Sequence, residues 1–426
     1  MFERLFALKA HGTTPRTEII SGATIFFTMA YILFVNSQIL SAAGMDRGAI
    51  FMATALSAAI TSLAMGLWAN LPVALAPGMG QNAYFAFTAV PLLAGDWRLA
   101  LGCAFIAGLL FVALSASPAR EALVNAIPTS QKRAIGAGIG FFLAMIGFQG
   151  AGMLAASPAT LVQHGNLADP KFLIAAFGLF VIATLWARRV TGAVLIGILA
   201  ATVLAMASGL QPLPDLSAPL PSIVPTLAQL HFSGAPFDAL MLVIGVFLFL
   251  NLLDASGTLT AVGHQAGLME NGKLRNGRKA LVTDAGGTVV GAVLGTSPVT
   301  AYIESAAGAG GKTGLVAVTV AVLFLLALVL APLAGAVPAY ATAPALVFVA
   351  VLFAKDLKEI EWGDVTEALP ALVTALAIPL TFSIAEGIGI GFVTYCALKL
   401  MTGRWREIGA GVAVIAVAFV AKVAVA

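Results

Sequence analysis

Fifteen apolar runs fill almost the whole chain, near 19–40, 48–69, 72–93, 99–117, 134–156, 171–187, 190–209, 237–253, 280–296, 298–311, 314–335, 338–354, 366–382, 384–400 and 407–425. Roughly 20 apolar residues carry a helix across the hydrocarbon core of a bilayer, so the pattern predicts an all-α polytopic membrane protein. Composition agrees: 60% of the 426 residues are AVILMFWYC and 10% are charged, where a soluble domain carries about 25% charge. A soluble enzyme, a disordered chain and a nucleic-acid-binding protein are excluded as first readings. At roughly 30 residues per span plus loop, the length accommodates about 14 spans and leaves little for a soluble domain.

The runs fall into seven, a Pro-rich stretch from Gln211 to Pro236 without Lys or Arg, seven more, and one extra. Charge placement tests that count. With the N-terminus in the cytoplasm and the spans alternating, Arg4, Lys9, Arg16, Arg120, Lys132, Arg133, Arg188, Arg189, Lys273, Arg275, Arg278, Lys279, Lys312, Lys355, Lys358, Lys399, Arg404 and Arg406 fall inside. Arg47, Arg98 and Lys171 fall outside, and Lys422 is unassigned, a split of 18 to 3. Such an excess on one side is the mark of the cytoplasmic face. Seven is odd, so the second set enters the membrane in the opposite sense and about 14 transmembrane segments form two inverted seven-span repeats.

Smaller features follow. Phe2, Leu5, Phe6 and Leu8 share a helical face opposite Glu3, Arg4 and Lys9, so 1–18 reads as an interfacial segment rather than a signal peptide. Runs 366–382 and 384–400 are short and interrupted by Pro379 and by Glu386-Gly-Ile-Gly389, which suggests broken helices. Run 407–425 is long enough to span, and equally suits a helix along the membrane or packed on the bundle. Cys103 and Cys396 lie in separate runs and read as packing residues.

Charges inside hydrocarbon are expensive and read as functional by default. Asp254, Asp284 and Glu304 meet that test, all in the first three runs after the break, with Glu386 nearer an interface. Asp254 ends Phe247-Leu-Phe-Leu-Asn-Leu-Leu and begins Ala-Ser-Gly-Thr258, so it reads as a ligand or proton acceptor, against an interhelical bond that only holds packing. Glu304 follows Pro298–Tyr302, which reads as extended chain, and precedes small residues that read as the start of a half-helix. Free N–H groups at such a mid-membrane helix start suit a ligand; the structural alternative is a cap. In the third run of the first half, Leu75-Ala-Pro77-Gly-Met-Gly-Gln-Asn82 is a counterpart, and aligning Pro77 with Pro298 brings Asn82 within one position of Glu304. Two broken segments then enclose a small pocket near the midplane, unless the glycines serve only close packing. Asp284 divides evenly between a coupling network and a structural role, a salt bridge or helix start near the cytoplasmic face. Gly308-Ala-Gly-Gly-Lys312-Thr313 fails as a phosphate loop, because Ala306 holds the first glycine position. His11, His164, His231 and His264 are scattered; neither a metal site nor a cofactor is expected.

The segments Ala76–Phe85 and Gly295–Gly308, with Phe6–Glu18 and Asp254–Leu259, resemble the AzgA-like purine permeases. These belong to the nucleobase–cation symporter group that includes the bacterial uracil permease. The resemblance covers nearly the whole chain. It implies a core domain of spans 1–4 (19–117) and 8–11 (237–335) and a gate domain of spans 5–7 (134–209) and 12–14 (336–401). Residues 210–236 then join the repeats and 407–426 add a C-terminal helix. It also implies short strands in broken spans 3 and 10, with substrate at the core–gate interface. By this likeness Asp254 and Glu304 bind purine ring nitrogens, Asn82 adds a polar contact, Thr258 lies one turn beyond Asp254, and Asp284 tunes the network. Thr300 and Tyr302 in the extended segment complete the substrate-binding candidates, and Asp254, Asp284 and Glu304 are those for proton coupling. Gln81 stands where leucine is expected before Asn82, which leaves purine preference open.

The expectation is therefore a proton-coupled importer of the hypoxanthine, guanine and adenine class in the plasma membrane, surrounded by lipid, with its N-terminus cytoplasmic. Desolvation favours the protonated form of a buried carboxylate, which suits a proton, and the residues allow sodium as well. A homodimer through the gate domain is implied at family level. The competing expectation is an anion transporter or channel of the related sulfate-permease fold, which calls for a basic or amide-only midplane. An intramembrane enzyme lacks catalytic geometry.

Overall fold

The computed structural model describes residues 2–117, 127–158, 160–214, 219–270, 273–308 and 310–425; Arg120, counted above, lies outside them. Of the first fourteen runs, the third and tenth open with a strand, the fifth is a helix that runs into a strand, and the others are helical; the fold is the helical inverted-repeat architecture. Nine helices are long and apolar enough to cross a membrane among the described residues. Ala193–Ala207, Val365–Leu380 and Ala410–Ala421 are shorter apolar helices.

Water-side ends are set by capping. Asp46, Asp96 and Asp169 accept from Ala49, Arg98 and Lys171 N–H at 2.7, 2.8 and 2.8 Å, satisfying donors that a helix start leaves open. Pro170 at the first helical position adds its pre-set φ.

The chain divides into two compact units, one of Met1–Ser117 with Ala168–Ala345 and one of Pro118–Leu167 with Leu346–Ala426. Of the segment 134–209, Thr129–Gly150 falls in the second unit while Pro170–Ala187 and Ala193–Ala207 fall in the first.

In the first unit the opening span is two helices, Pro15–Met29 and Ile32–Ser41, with an interruption at Ala30–Tyr31. The Arg47–Ala64 helix widens into a π turn, Met65–Ala69. Gly66 there meets Gly314 at the start of the Gly314–Ala327 helix, where a Cβ at Gly314 would strike the Gly66 carbonyl; small residues permit that approach. Span 3 is the strand Leu75–Pro77 and the helix Met79–Tyr84, and span 10 is the strand Val299–Ala301 and a 3₁₀ turn, Ile303–Ala307. The strands pair antiparallel, Leu75 opposite Ala301 and Pro77 opposite Val299, as equivalent segments of inverted repeats must.

In the second unit Thr129–Gly150 leads into a hairpin, Leu154–Ser157 with Leu161–His164, so the tail of run 134–156 is strand. Val365–Leu380 and Ile384–Met401 are continuous helices, contrary to the expectation of breaks. The glycines serve packing instead: Gly387 and Gly391 receive Ile378 and Thr374 of the neighbouring helix. Ala410–Val425 packs on Ile384–Met401, the Phe419 ring filling the space over Gly389.

Candidate functional site

The paired strands form the floor of the site, and their polar groups are closed on themselves. Gly78 N–H donates to Pro298 O at 3.0 Å and Tyr302 N–H to Ala74 O at 3.0 Å. The Tyr302 hydroxyl donates to Pro77 O at 2.6 Å, and the Ser305 hydroxyl accepts from Ala74 N–H at 3.0 Å. Unpaired backbone at this depth would be costly, so these bonds let an interrupted span persist.

Asp254 does not end its helix. Phe237–Gln265 runs unbroken for 29 residues, because Ser256, Gly257 and Thr258 keep helical geometry with the Ser256 hydroxyl bonded back to Leu252 O at 2.5 Å. Asn251, Asp254 and Thr258 therefore share one face, at three- and four-residue spacing. Asp254 Oδ1 accepts from Thr258 at 3.3 Å and Oδ2 from Gln81 Nε2 at 3.0 Å. Gln81 is also within 3.5 Å of Asn251 Oδ1.

Glu304 sits in the 3₁₀ turn, not at the start of a longer half-helix; the next α-helix begins at Gly314. Its Oε1 accepts from the Tyr31 hydroxyl at 2.9 Å, and it lies within electrostatic range of Asp254. Among the described residues no Lys or Arg forms an ion pair with either carboxylate, so only neutral groups hold them.

Asp284 is 1% exposed and its Oδ1 accepts from Ala301 N–H at 2.7 Å and Thr300 Oγ1 at 3.2 Å. It thus fixes the second strand. Thr300 also stands beside Asp254, between the two acids. Asn82 is fully buried; its Oδ1 accepts from the Ser297 hydroxyl, and its Nδ2 has no partner among the described residues. Behind it Asn36 Nδ2 donates to Thr54 and Thr296 at 2.7 and 2.8 Å.

Asp254, Thr258, Thr300, Glu304 and Gln81 are thus gathered around the strand crossing, with Asn82 and Asp284 behind and Tyr302 tied to the floor. Sequence reasoning missed Tyr31, Asn251 and Ser297 and treated Gln81 as a departure. One signal was available: Leu33-Phe-Val-Asn36 in span 1 and Leu248-Phe-Leu-Asn251 in span 8 repeat each other, and both asparagines reach a broken span. Among the described residues no cluster of His, Cys, Asp and Glu could hold a metal.

Interrupted spans that cross beside acids held by neutral donors, inside an inverted-repeat bundle, are the makings of a membrane permease and not of an enzyme. Known proteins resemble this chain along nearly all of its length. Residues 16–390 match Xan_ur_permease, described as a permease family, and the chain belongs to that family. It is 44% identical over 426 residues to the adenine permease AdeP of Escherichia coli, covering 99% of this chain and 96% of that one. It is 43% identical over 411 residues to the guanine/hypoxanthine permease PbuG of Bacillus subtilis, covering 93% of each. Among solved structures, the transmembrane domain of a cyanobacterium bicarbonate transporter, BicA, is similar with TM-score 0.66 at 17% identity, covering 86% of this chain and 96% of that one. At that identity the likeness concerns the fold alone.

Proposed function

We propose that the protein is a secondary transporter importing purine nucleobases with protons by alternating access. The observation that carries this reading is the pair Asp254 and Glu304, held at the strand crossing by neutral donors only. An anion is repelled by such a pair, whereas the ring N–H groups of a neutral base are donors that a carboxylate accepts strongly. The names of the relatives, adenine and guanine/hypoxanthine permeases, point the same way. The buried Asn82 Nδ2 offers a donor nearby for a purine acceptor atom. Thr258 and Thr300 orient Asp254 in this reading, Tyr302 shapes the floor, and Asp284 completes the network through Thr300. A proton on either acid changes the site's net charge, and so couples the gradient to purine affinity. The N-terminus is cytoplasmic in the plasma membrane and the carrier works as a homodimer.

The test is uptake of labelled hypoxanthine into proteoliposomes under an inward proton gradient, with and without a protonophore. Adenine, guanine, xanthine, uracil and sulfate serve as competitors. Purine-sensitive, sulfate-insensitive uptake that the protonophore abolishes is expected, and Glu304→Gln should reduce it by about a hundredfold, losing two charge-assisted bonds. Protonophore-indifferent uptake would leave a sodium symporter or a uniporter. Absence of purine uptake would remove the reading.

A further inference from the structure

Glu304 stands on a backbone fixed at both sides. Tyr302 before it is bonded through N–H and hydroxyl to Ala74 O and Pro77 O. Ser305 after it donates its N–H to Tyr302 O at 3.0 Å, and its hydroxyl accepts from Ala74 N–H. The glutamate side chain nonetheless has three rotatable bonds. A carboxylate that must meet a flat heterocycle in one plane needs its rotamer restrained by its surroundings.

Tyr31 supplies that restraint. Its hydroxyl is 2.9 Å from Glu304 Oε1, and its ring is 2% exposed. It lies at the interruption of the first span, where Leu33 and Phe34 N–H bond to Ala30 and Tyr31 carbonyls at 3.2 and 3.1 Å. That tight turn breaks the regular helical ladder and sets the direction in which the phenol reaches. A carboxylate has two oxygens and about four lone-pair positions, so a donor on Oε1 leaves Oε2 to face a ligand. Asp254 likewise takes a donor from the first repeat, Gln81 on Oδ2, with Thr258 of its own helix on Oδ1. Asp254 and Glu304 thus each accept from a neutral donor of the first repeat.

We infer that Tyr31 is a positioning residue for nucleobase recognition: through Oε1 it holds the Glu304 carboxylate in the orientation in which the other oxygen accepts a purine ring N–H. This rests on Glu304 being a purine ligand. Tyr31 acts through Glu304 and leaves the translocation step itself unchanged.

The experiment compares wild type, Tyr31→Phe, Tyr31→His and Glu304→Gln as purified protein in proteoliposomes, at equal amounts of folded carrier. Initial hypoxanthine uptake is measured across a range of concentrations. Tyr31→Phe, which keeps the ring, should raise KM about tenfold with Vmax within about twofold, as expected for one lost charge-assisted bond. Hypoxanthine should also stabilise the purified Tyr31→Phe protein against heat less than wild type at the same concentration. Tyr31→His, which retains a ring N–H donor, should fall between the two, and this comparison stands if the Phe variant folds poorly. An unchanged KM, or a fall in Vmax with KM intact, overturns the inference. If Glu304→Gln transports with wild-type KM, the reading of Glu304 fails; if it is inactive while Tyr31→Phe keeps its KM, only the role of Tyr31 fails.

Discussion

The acids of this chain sort by what satisfies them. Asp46, Asp96, Asp169 and Asp364 are spent on helix starts at the ends of spans. Glu18, fully buried, accepts from Lys312 and Thr313 N–H at 2.9 and 3.1 Å, tying the first span to the start of the Gly314–Ala327 helix. Asp254, Asp284 and Glu304 lie around the strand crossing, and the Thr300 hydroxyl stands between two of them. A threonine hydroxyl carries one proton, and Thr300 commits it to Asp284 at 3.2 Å while standing beside Asp254. In the proposed proton-coupled cycle, a proton on Asp254 lets that acid donate to Thr300 while Thr300 donates to Asp284. Thr300→Val, nearly isosteric, is therefore expected to lower gradient-driven hypoxanthine uptake about tenfold, one hydrogen bond to a charged group being worth about 1.5–3 kcal/mol. Thr300→Ser should stay near wild type. Counterflow exchange, which needs no net proton movement, should fall less in Thr300→Val; equal losses in both assays would sink this account.

Elements were legible where hydropathy alone decides them and obscure where a tertiary partner does. The apolar runs gave the spans, and Pro298–Tyr302 read correctly as extended because proline and β-branched residues disfavour a helix there. Glycine gave mixed signals, since it marks broken backbone at Gly78 and close packing at Gly387 and Gly391. The distinction depends on the neighbouring helix, which no local pattern records. Asp254 and Glu304 stand out in the sequence because acids are conspicuous in hydrocarbon, whereas Tyr31 and Asn251 look like ordinary span residues until their partners 273 and 170 positions away are known. The end of the Ile384–Met401 helix shows the same dependence. Lys399, counted only as a cytoplasmic charge, has no exposed surface and reaches Glu367 at 2.8 Å and Glu407 at 2.7 Å. Arg404 closes the ring with Asp364 and Glu407 at 2.5 and 2.8 Å. Its hydrogen bonds hold both of those carboxylates below the usual range. A depressed carboxylate stabilises above its unfolded value and loses that contribution as pH falls, so this ring weakens only in acid below about pH 4. Lys399→Met strands Glu367 without its ammonium and should cost about 3 kcal/mol, read as a lower Tm in detergent. Lys399→Met combined with Glu367→Leu should recover most of the loss, because an ion pair replaced whole costs far less than one broken. A double variant as unstable as the single one would show that the lysine stem, not its charge, matters.

At the scale of the whole molecule, the antiparallel pairing of Leu75–Pro77 with Val299–Ala301 and the charge bias express one constraint. Two chains of seven spans can present equivalent segments head to tail only if they thread the membrane in opposite senses. The Pro170–Ala187 helix tests this in the first repeat. Its 18 residues rise about 27 Å, close to the hydrocarbon thickness, so Lys171 and Arg188 mark opposite faces. Charge counting puts Lys171 outside and Arg188 inside. The equivalent helix of the second repeat, Val365–Leu380, must then run the other way, with Lys358 inside and Thr381 outside. In a Cys103→Ala, Cys396→Ala background, single cysteines are placed at these four exposed positions and labelled in right-side-out vesicles with a membrane-impermeant maleimide. Lys171→Cys and Thr381→Cys should react in intact vesicles, and Arg188→Cys and Lys358→Cys only after permeabilisation. Reaction of Lys171→Cys and Lys358→Cys from the same side would mean that the two helices run in parallel, and an inverted repeat with an odd number of spans does not allow that.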